Sequence, residues 1–262
     1  MKATRIHKPW AFTLVELLLV ILVILIVLSL FPVSFGNGRV HAQRITCVNN
    51  LKQIGLAYRV WPSDQASLWP AQQSAALGGW KDILTNADQG FLVWTNYALM
   101  ANELGMNPKI IVCPADERKP ADTFSNLHSD LNVSYFVGAS ANDEEPTSLL
   151  GGDRNLAPGA VSKDDYGYSP ASGQGNDVAI QTNTQASPVC WSLKIHSHGK
   201  TTGAGNILLG DGSVQQVTSG SLRLTWLPLA GGTNNWRPEL GETGNWPSHY
   251  VPSSPSIRVL FP

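Results

Sequence analysis

The strongest hydrophobic pattern of the chain lies near its N-terminus. Residues 12–31 read FTLVELLLVILVILIVLSLF, twenty positions with a single charge, Glu16. A helix of this length is about 30 Å long, which matches the hydrocarbon core of a bilayer. Residues 1–11 contain Lys and Arg but no acid, so the positive-inside rule places them in the cytoplasm and the C-terminus outside. The pattern predicts one transmembrane helix over 12–31.

Two ordinary explanations of this segment are a cleaved Sec signal peptide and an uncleaved signal anchor. The apolar run is longer than a signal-peptide core of roughly 7–15 residues, and no clear A-x-A cleavage site follows it. The anchor is therefore the better of the two. Neither explanation accounts for Glu16. Inserting a carboxylate at the middle of a bilayer is unfavourable by about 2.5–3.5 kcal/mol, so a charged residue in a transmembrane helix is a candidate functional residue.

The pattern after the apolar run predicts a broken amphipathic helix over 32–62. Pro32, Gly36 and Gly38 disfavour helix, because Pro lacks an N–H and each Gly costs about 1 kcal/mol in a helix interior. Apolar residues then recur at steps of three and four and form one face: Cys47, Leu51, Ile54, Tyr58 and Trp61. Such a face is typical of a helix that packs on a core. Pro62 is expected to end this helix.

Residues 63–262 show the mixed pattern of an α+β domain with long loops. A second helix is predicted over 88–104, with Gly105 as its C-terminal stop. Short β-prone runs follow at 109–113, 132–138, 188–195, 206–210 and 213–217. Asp211-Gly212 joins the last two runs and predicts a hairpin with a type I′ turn, because this dipeptide tolerates positive φ. We interpret Asp211 and Gly212 as a structural turn.

Composition narrows the classes of function. The chain has 18 Lys+Arg and 19 Asp+Glu, a formal net charge of -1. It therefore lacks the clustered basic surface that nucleic acids require, and no nucleic-acid partner is expected. A hydrophobic fraction of 43% is sufficient for a folded core. Nine Trp could stack on sugars, although burial in the core is their commoner use.

The N-terminal pattern resembles a known signal. The string Ala11-Phe12-Thr13-Leu14-Val15-Glu16, preceded by a basic leader and followed by the apolar run, resembles the prepilin signal of type IV pilins and type II secretion pseudopilins. The resemblance implies that a prepilin peptidase cuts between Ala11 and Phe12 and that Phe12 becomes N-methylated. It also implies that Glu16 meets the N-terminal ammonium of a neighbouring subunit during assembly. Ala11 stands where the family usually has Gly.

A second resemblance covers patches as far as residue 217. Residues 44–57 (RITCVNNLKQIGLA) resemble a motif of a large bacterial group of pilin-like proteins, as do IVCPAD at 111–116, SYFVG at 134–138 and GDRN at 152–155. Cys47 and Cys113 both lie in these motifs, so they form a candidate disulfide in an oxidising compartment. Cys190 is a competing partner, and three buried free thiols are the alternative.

Recognised catalytic and metal motifs are absent from the sequence, so we predict a protein that is not an enzyme, with no cofactor. His196, His198 and Asp211 resemble the H-X9-DG element of the same bacterial group, but twelve residues separate His198 from Asp211. A structural role for these His is favoured over a metal, and no metal ligand is assigned. Acidic pairs at 143–145 and 164–165 leave room for Ca²⁺ in a head loop without specifying its ligands.

Together these observations predict a pilin-like α+β protein with an N-terminal transmembrane helix and an amphipathic helix that packs on an antiparallel sheet. The expected regions are a leader at 1–11, a transmembrane helix at 12–31, a broken helix at 32–62 and a head at 63–262. The expected function is that of a pseudopilin or minor pilin in the inner membrane, with its head in the periplasm. Its partners would be a prepilin peptidase/methyltransferase, other pilin-like subunits and the membrane. The alternative is a membrane-anchored extracytoplasmic binding protein, with carbohydrate as one candidate ligand, that does not polymerise.

Overall fold

The computed structural model describes residues 12–29, 35–64, 68–82, 92–181, 188–198, 201–230 and 256–262. Over these ranges the protein is α+β. Three helices are α1 (Leu14–Ser29), α2 (Phe35–Asp64) and α3 (Val93–Leu99). The strands are β1 (Tyr135–Gly138), β2 (Leu149–Asp153), β3 (Leu156–Pro158), β4 (Asn176–Gln181), β5 (Val189–Trp191), β6 (His196–His198), β7 (Thr202–Leu209), β8 (Val214–Thr218) and β9 (Ser256–Phe261).

The described strands form one large antiparallel sheet and one small one. The large sheet has the order β4-β9-β1-β2-β7-β6, and β8 also pairs with β7. Every pair within it is antiparallel. β3 and β5 form the two-stranded sheet. After β8 the chain is helical, with α-helical turns at Ser219–Ser221 and Leu227–Ala230 on either side of a π-helical Leu222–Trp226.

The large sheet is covered on both faces. Successive side chains of a strand point to opposite faces, and Tyr135 and Val137 of β1 join one apolar cluster while Phe136 joins the other. The first cluster includes the buried face of α2, namely Cys47, Leu51, Ile54, Tyr58 and Trp61. The second includes β5 and the helical segment after β8, through Trp191, Leu222 and Leu227. The prediction that one face of α2 packs on the core is confirmed.

Two details of the predicted helix break are wrong. α2 begins at Phe35 and contains Gly36 and Gly38, so these glycines do not interrupt it. They lie in the first turn, and the cost of about 1 kcal/mol per Gly applies to the interior of a helix. Pro62 lies inside the last turn and α2 continues to Asp64, since a Pro near the end of a helix removes only one hydrogen bond. Pro32 lies outside the described residues.

The second predicted helix and the first predicted strand also differ from the structure. α3 ends at Leu99, and residues 100–106 form successive turns that end in left-handed Gly105 and Met106. The run 109–113 is not a strand, because Pro108–Ile111 forms a 3-10 helix. Asn107 caps that helix by accepting a hydrogen bond from the Lys109 N–H at 3.2 Å.

The chain divides into two compact units, Met1–Arg39 and Val40–Pro262. The second unit begins within α2. Among the described residues, no helix combines the length and apolar character needed to cross a membrane. Leu30 and Phe31, the last two residues of the predicted span, lie outside the described ranges.

Candidate functional site

The processing signal is described from Phe12 onward, and Ala11 lies outside the described residues. Phe12 is exposed and precedes α1. Thr13 is followed three residues later by Glu16, and the two side chains form a capping box. The Glu16 carboxylate accepts hydrogen bonds from the Thr13 N–H at 3.0 Å and from its hydroxyl at 2.8 Å. In return, the Glu16 N–H donates to the Thr13 hydroxyl at 3.3 Å. This local role of Glu16 was not predicted from the sequence.

The helix that follows has no packing partner within its unit. Every described side chain of residues 12–29 is exposed, and the exposed fraction of the large apolar residues ranges from 43% at Val20 to 78% at Leu14. An apolar surface that extends around a whole helix is typical of a helix that resides in lipid or among other helices.

Cys47 and Cys113 are the disulfide pair in the structure, the same pair that the motifs suggested. Cys47 lies on α2 and Cys113 follows the 3-10 helix Pro108–Ile111; their Cα atoms are 5.1 Å apart and both residues are fully buried. The bond joins α2 to the loop region across 66 residues. Cys190 is a buried free thiol, and its Sγ contacts the Val161 carbonyl at 3.4 Å.

A buried polar cluster adjoins this disulfide. His196 opens β6, Asp153 closes β2, and Asn206 lies on β7, so the strand order brings the three together. The His196 Nε2 lies 3.6 Å from Cys113 Sγ and 3.6 Å from Asp153 Oδ2. The same Oδ2 accepts hydrogen bonds from the Asn206 N–H at 2.7 Å and from its side-chain amide at 2.9 Å. We name Cys47, Cys113, Asp153 and His196 the disulfide cluster.

Burial shifts the two titratable groups of the disulfide cluster toward their neutral forms. It raises the pKa of Asp153 to about 7, although the Asn206 N–H and the Arg44 guanidinium act in the opposite direction. Burial also lowers the pKa of His196 to about 4, and the nearby Arg44 charge lowers it further. Near neutral pH, His196 is therefore a neutral imidazole whose nitrogen lone pair is available.

Several polar atoms around the disulfide cluster have no hydrogen-bond partner within the described part of the chain. They are buried and belong to Arg44 (Nε), Asp153 (Oδ1), Asn155 (Oδ1), His196 (Nδ1) and Asn206 (Oδ1). Buried polar atoms are normally satisfied by protein, by ordered water or by a ligand. These atoms can form hydrogen bonds with ordered water or with a ligand.

The remaining residues of the GDRN motif have structural partners. Arg154 makes a bidentate ion pair with buried Asp116, with Nε–Oδ2 and Nη2–Oδ1 distances of 2.7 and 2.8 Å. Burial raises the pKa of Asp116, but the hydrogen bonds and charge of Arg154 outweigh it and hold that pKa below its usual value. Asn155 donates to the carbonyls of Ser192, Lys194 and Ala204 and so joins separate segments of the head.

The Asp211-Gly212 turn has the predicted position but not the predicted type. Gly212 has φ +78°, whereas Asp211 is not in the left-handed region, which a type I′ turn requires of both residues. The Gly212 N–H donates to the Leu209 carbonyl at 2.9 Å, and the Leu209 N–H donates to Ser213 at 2.9 Å. These features belong to a type I turn followed by a G1 bulge. Arg59 on α2 donates to the Asp211 carbonyl, so the turn is fastened to α2.

His196 and Asp211, two residues of the element that resembles H-X9-DG, lie at different places in the head. His196 belongs to the disulfide cluster, whereas Asp211 lies on the turn described above. His198 is on the same strand, but its side chain lies outside the described residues. Cys47, Cys113 and His196 are the one group of three or more potential metal ligands among the described residues, and the exposed pairs at 143–145 and 164–165 form no such group there. Sequence spacing could not reveal the disulfide cluster, since Cys113 and His196 are 83 residues apart.

Comparisons with protein-family models, with curated proteins and with solved structures give no match for this chain.

Proposed function

We propose that this protein is a type IV pilin-like subunit, a pseudopilin or minor pilin that is not an enzyme. A prepilin peptidase would cut between Ala11 and Phe12 and methylate Phe12. The mature helix would hold the chain in the inner membrane, with the head in the periplasm, and would then pack against the helices of other pilin-like subunits in a type II secretion or type IV pilus-like fibre.

The observation that carries this proposal is the exposure of α1. Sixteen residues, Leu14–Ser29, form an apolar helix whose side chains are all exposed. Burying one Leu, Ile or Val side chain is favourable by about 1.5–3 kcal/mol, so an isolated helix of this kind in water is strongly unfavourable. Lipid before assembly and neighbouring helices after assembly would both remove this surface from water.

The capping box supports the same proposal. A helix that begins in an apolar environment must satisfy its first N–H groups internally, because no water is available to accept their hydrogen bonds. The side chains of Thr13 and Glu16 accept two such bonds between them, and the Thr13 hydroxyl also donates to the Glu16 carboxylate. Glu16 would thus begin the helix within its own chain and offer its negative charge to the Phe12 ammonium of a neighbour.

The head is consistent with an extracytoplasmic location. Its disulfide would persist in an oxidising compartment and would be reduced in the cytoplasm. The carbohydrate-binding alternative has no comparable support among the described Trp residues, none of which is fully exposed. Trp61, Trp69, Trp80 and Trp191 are buried, and Trp94 and Trp226 are half-buried. A flat, exposed aromatic ring is what stacking on a sugar requires.

Mass spectrometry of the N-terminal peptide from native membranes tests the proposal. We expect the mature chain to start at Phe12 with an N-methyl group. An intact Met1 terminus, or cleavage after Phe31, would contradict it. An unprocessed but membrane-bound chain would favour the simple anchor, since only a prepilin peptidase accounts for both the cut and the methylation.

A further inference from the structure

We propose that the disulfide cluster is a zinc site when its two cysteines are reduced, with Cys47, Cys113 and His196 as ligands and Asp153 as the fourth. The disulfide and the metal site would be two states of the same two sulfur atoms. This inference concerns the head alone and does not depend on the proposed function.

The donor atoms have the identity and spacing that zinc requires. The ligand atoms of Cys47, Cys113 and His196 all lie within 4.8 Å of one another. A tetrahedral Zn²⁺ with Zn–S of about 2.3 Å and Zn–N of about 2.0–2.1 Å holds sulfur and nitrogen about 3.6 Å apart. The Cys113 Sγ and His196 Nε2 are 3.6 Å apart in the structure. Opening the S–S bond would therefore create the site with little movement of the imidazole.

Asp153 is the candidate for the fourth ligand, although the described group whose ligand atoms all lie within 4.8 Å of one another consists of Cys47, Cys113 and His196. Its carboxylate lies 3.6 Å from the His196 Nε2 and is fully buried. Asn206 holds one carboxylate oxygen through two hydrogen bonds, and the other oxygen has no partner among the described residues. A second residue that orients a ligating carboxylate, while one oxygen stays available, is the usual arrangement around a protein-bound metal.

The metal-loaded site would be electrically balanced. Two thiolates and the Asp153 carboxylate carry three negative charges in a buried place, which Zn²⁺ and the nearby Arg44 guanidinium together would neutralise.

A cavity lies beside the site. It has a volume of about 410 Å³, and Cys113, Asn50, Pro114 and Asp116 are among the residues that line it. The side chains of Cys47, Cys113 and His196 themselves are buried.

Oxidation would exchange the metal for the disulfide. A small disulfide oxidant would accept two electrons from the two zinc-bound thiolates. The S–S bond of the oxidant would break to give two thiolates, the Cys47–Cys113 bond would form, and Zn²⁺ would leave as the aqueous ion. A head that folds before it is oxidised would thus be held together by zinc first and by the disulfide afterwards.

Co²⁺ substitution tests the site on the full-length chain in detergent. The chain is reduced with a phosphine, which supplies no competing thiol, and is freed of metal before Co²⁺ is added. We expect one equivalent to bind, with thiolate-to-Co²⁺ absorption in the near ultraviolet and intense visible bands of tetrahedral Co²⁺. One equivalent of Zn²⁺ should remove both signals. The untreated disulfide form should show neither signal, and this comparison needs no substitution that could disturb folding.

Co²⁺ binding by single variants tests which residues are metal ligands. Cys190→Ala is the matched control and should bind like the wild type, because this buried thiol is not in the cluster. Cys47→Ala should lose the thiolate signal, and His196→Gln and Asp153→Asn should weaken binding about tenfold or more. Adding a disulfide oxidant to the zinc-loaded chain should release one Zn²⁺ per disulfide formed. The proposal fails if the reduced wild type shows no thiolate–Co²⁺ absorption, if Cys47→Ala keeps the wild-type spectrum, or if the disulfide form binds equally well.

Discussion

The Glu16 carboxylate accepts hydrogen bonds from both the backbone N–H and the hydroxyl of Thr13, at 3.0 and 2.8 Å. Glu16 therefore has a local structural role at the start of α1 in addition to the assembly role that the prepilin resemblance implies. Replacing it with Ala or Leu would remove both roles together. Testing the capping role and the assembly role separately requires substitutions that remove one of these roles and keep the other.

The first prediction uses that separation. Glu16→Gln keeps a side-chain acceptor for the capping box but removes the charge, whereas Thr13→Val removes the capping hydroxyl and keeps the charge. We expect Glu16→Gln to insert into the membrane normally but to be incorporated poorly into sedimentable fibres. Thr13→Val should lose about 1 kcal/mol of helix stability and still be incorporated. Wild-type incorporation of Glu16→Gln would show that the charge is not required and that capping explains this residue.

The second prediction concerns the disulfide. With a chelator present, the double variant Cys47→Ala/Cys113→Ala should lose about 4 kcal/mol in the free energy of unfolding, because the bond no longer restricts the unfolded chain across 66 residues. Chemical denaturation followed by Trp fluorescence measures the loss. Cys190→Ala removes a buried thiol that forms no disulfide, so it should lower the free energy of unfolding much less. Equal losses in the two variants would show that packing, rather than the cross-link, determines the effect.

The third prediction concerns the turn at Asp211 and Gly212. Gly212→Val should destabilise the head by about 1–3 kcal/mol, because a β-branched residue is strained at φ +78° and its Cβ would lie 3.2 Å from the Arg59 Nε. Asp211→Asn should be nearly silent, since Asn keeps a side-chain oxygen that can accept from the Ser213 N–H, a bond of 2.8 Å in the structure. Melting temperatures of the two variants provide the comparison. The structural role would be contradicted if Gly212→Val kept the wild-type melting temperature while Asp211→Asn folded normally but was not incorporated into fibres.

A companion substitution tests the contact between the turn and α2. A Cβ at Gly55 would lie 2.8 Å from the Leu208 Cδ1 and 3.3 Å from the Gly212 Cα. Gly55→Ala should therefore push the hairpin from α2 and lower the melting temperature, whereas Leu56→Ala, at an exposed neighbour, serves as the control. Similar melting temperatures for the two variants would mean that the hairpin does not depend on this close approach.

The fourth prediction concerns pH. Burial raises the pKa of Asp130 from 3.8 to about 7, although N–H groups including that of Trp94, 2.7 Å from its Oδ1, lower it. The folded state thus keeps a proton that the unfolded state releases, so the contribution of Asp130 to stability is full below about pH 4 and is lost as pH rises to about 7.

Unfolding of Asp130→Asn between pH 4 and 8 measures this contribution. Asn keeps an acceptor for the Trp94 N–H and cannot ionise, so the variant should gain stability relative to the wild type as pH rises. Asp143→Asn, at an exposed position, controls for the loss of one negative charge. A constant difference between Asp130→Asn and the wild type across this range would contradict the raised pKa.

Local patterns account for much of what could be predicted. The unbroken apolar run and the spacing of Cys47, Leu51, Ile54, Tyr58 and Trp61 depend only on helical period, so the exposed helix and the buried face of α2 could be predicted from sequence. The capping box could also have been predicted, although it was not, because Thr13 and Glu16 have the three-residue spacing of that motif. The hairpin position followed from a dipeptide, but its type did not, because two neighbouring φ angles separate a type I′ turn from a G1 bulge.

The motifs suggested the Cys47–Cys113 pair, but only the tertiary structure places Asp153, His196 and Asn206 around it. Asp153 and Asn206 are 53 residues apart, and Cys113 and His196 are 83 residues apart. They meet because β2, β7 and β6 are neighbours in the sheet, and because Cys47 on α2 lies over one face of it. Periodicity reports which face of an element is apolar, but it carries no information about strand order or register. The sequence by itself determined an apolar N-terminal helix, an amphipathic second helix and a β-rich head, and only the packing of those elements decided which polar side chains share a buried site.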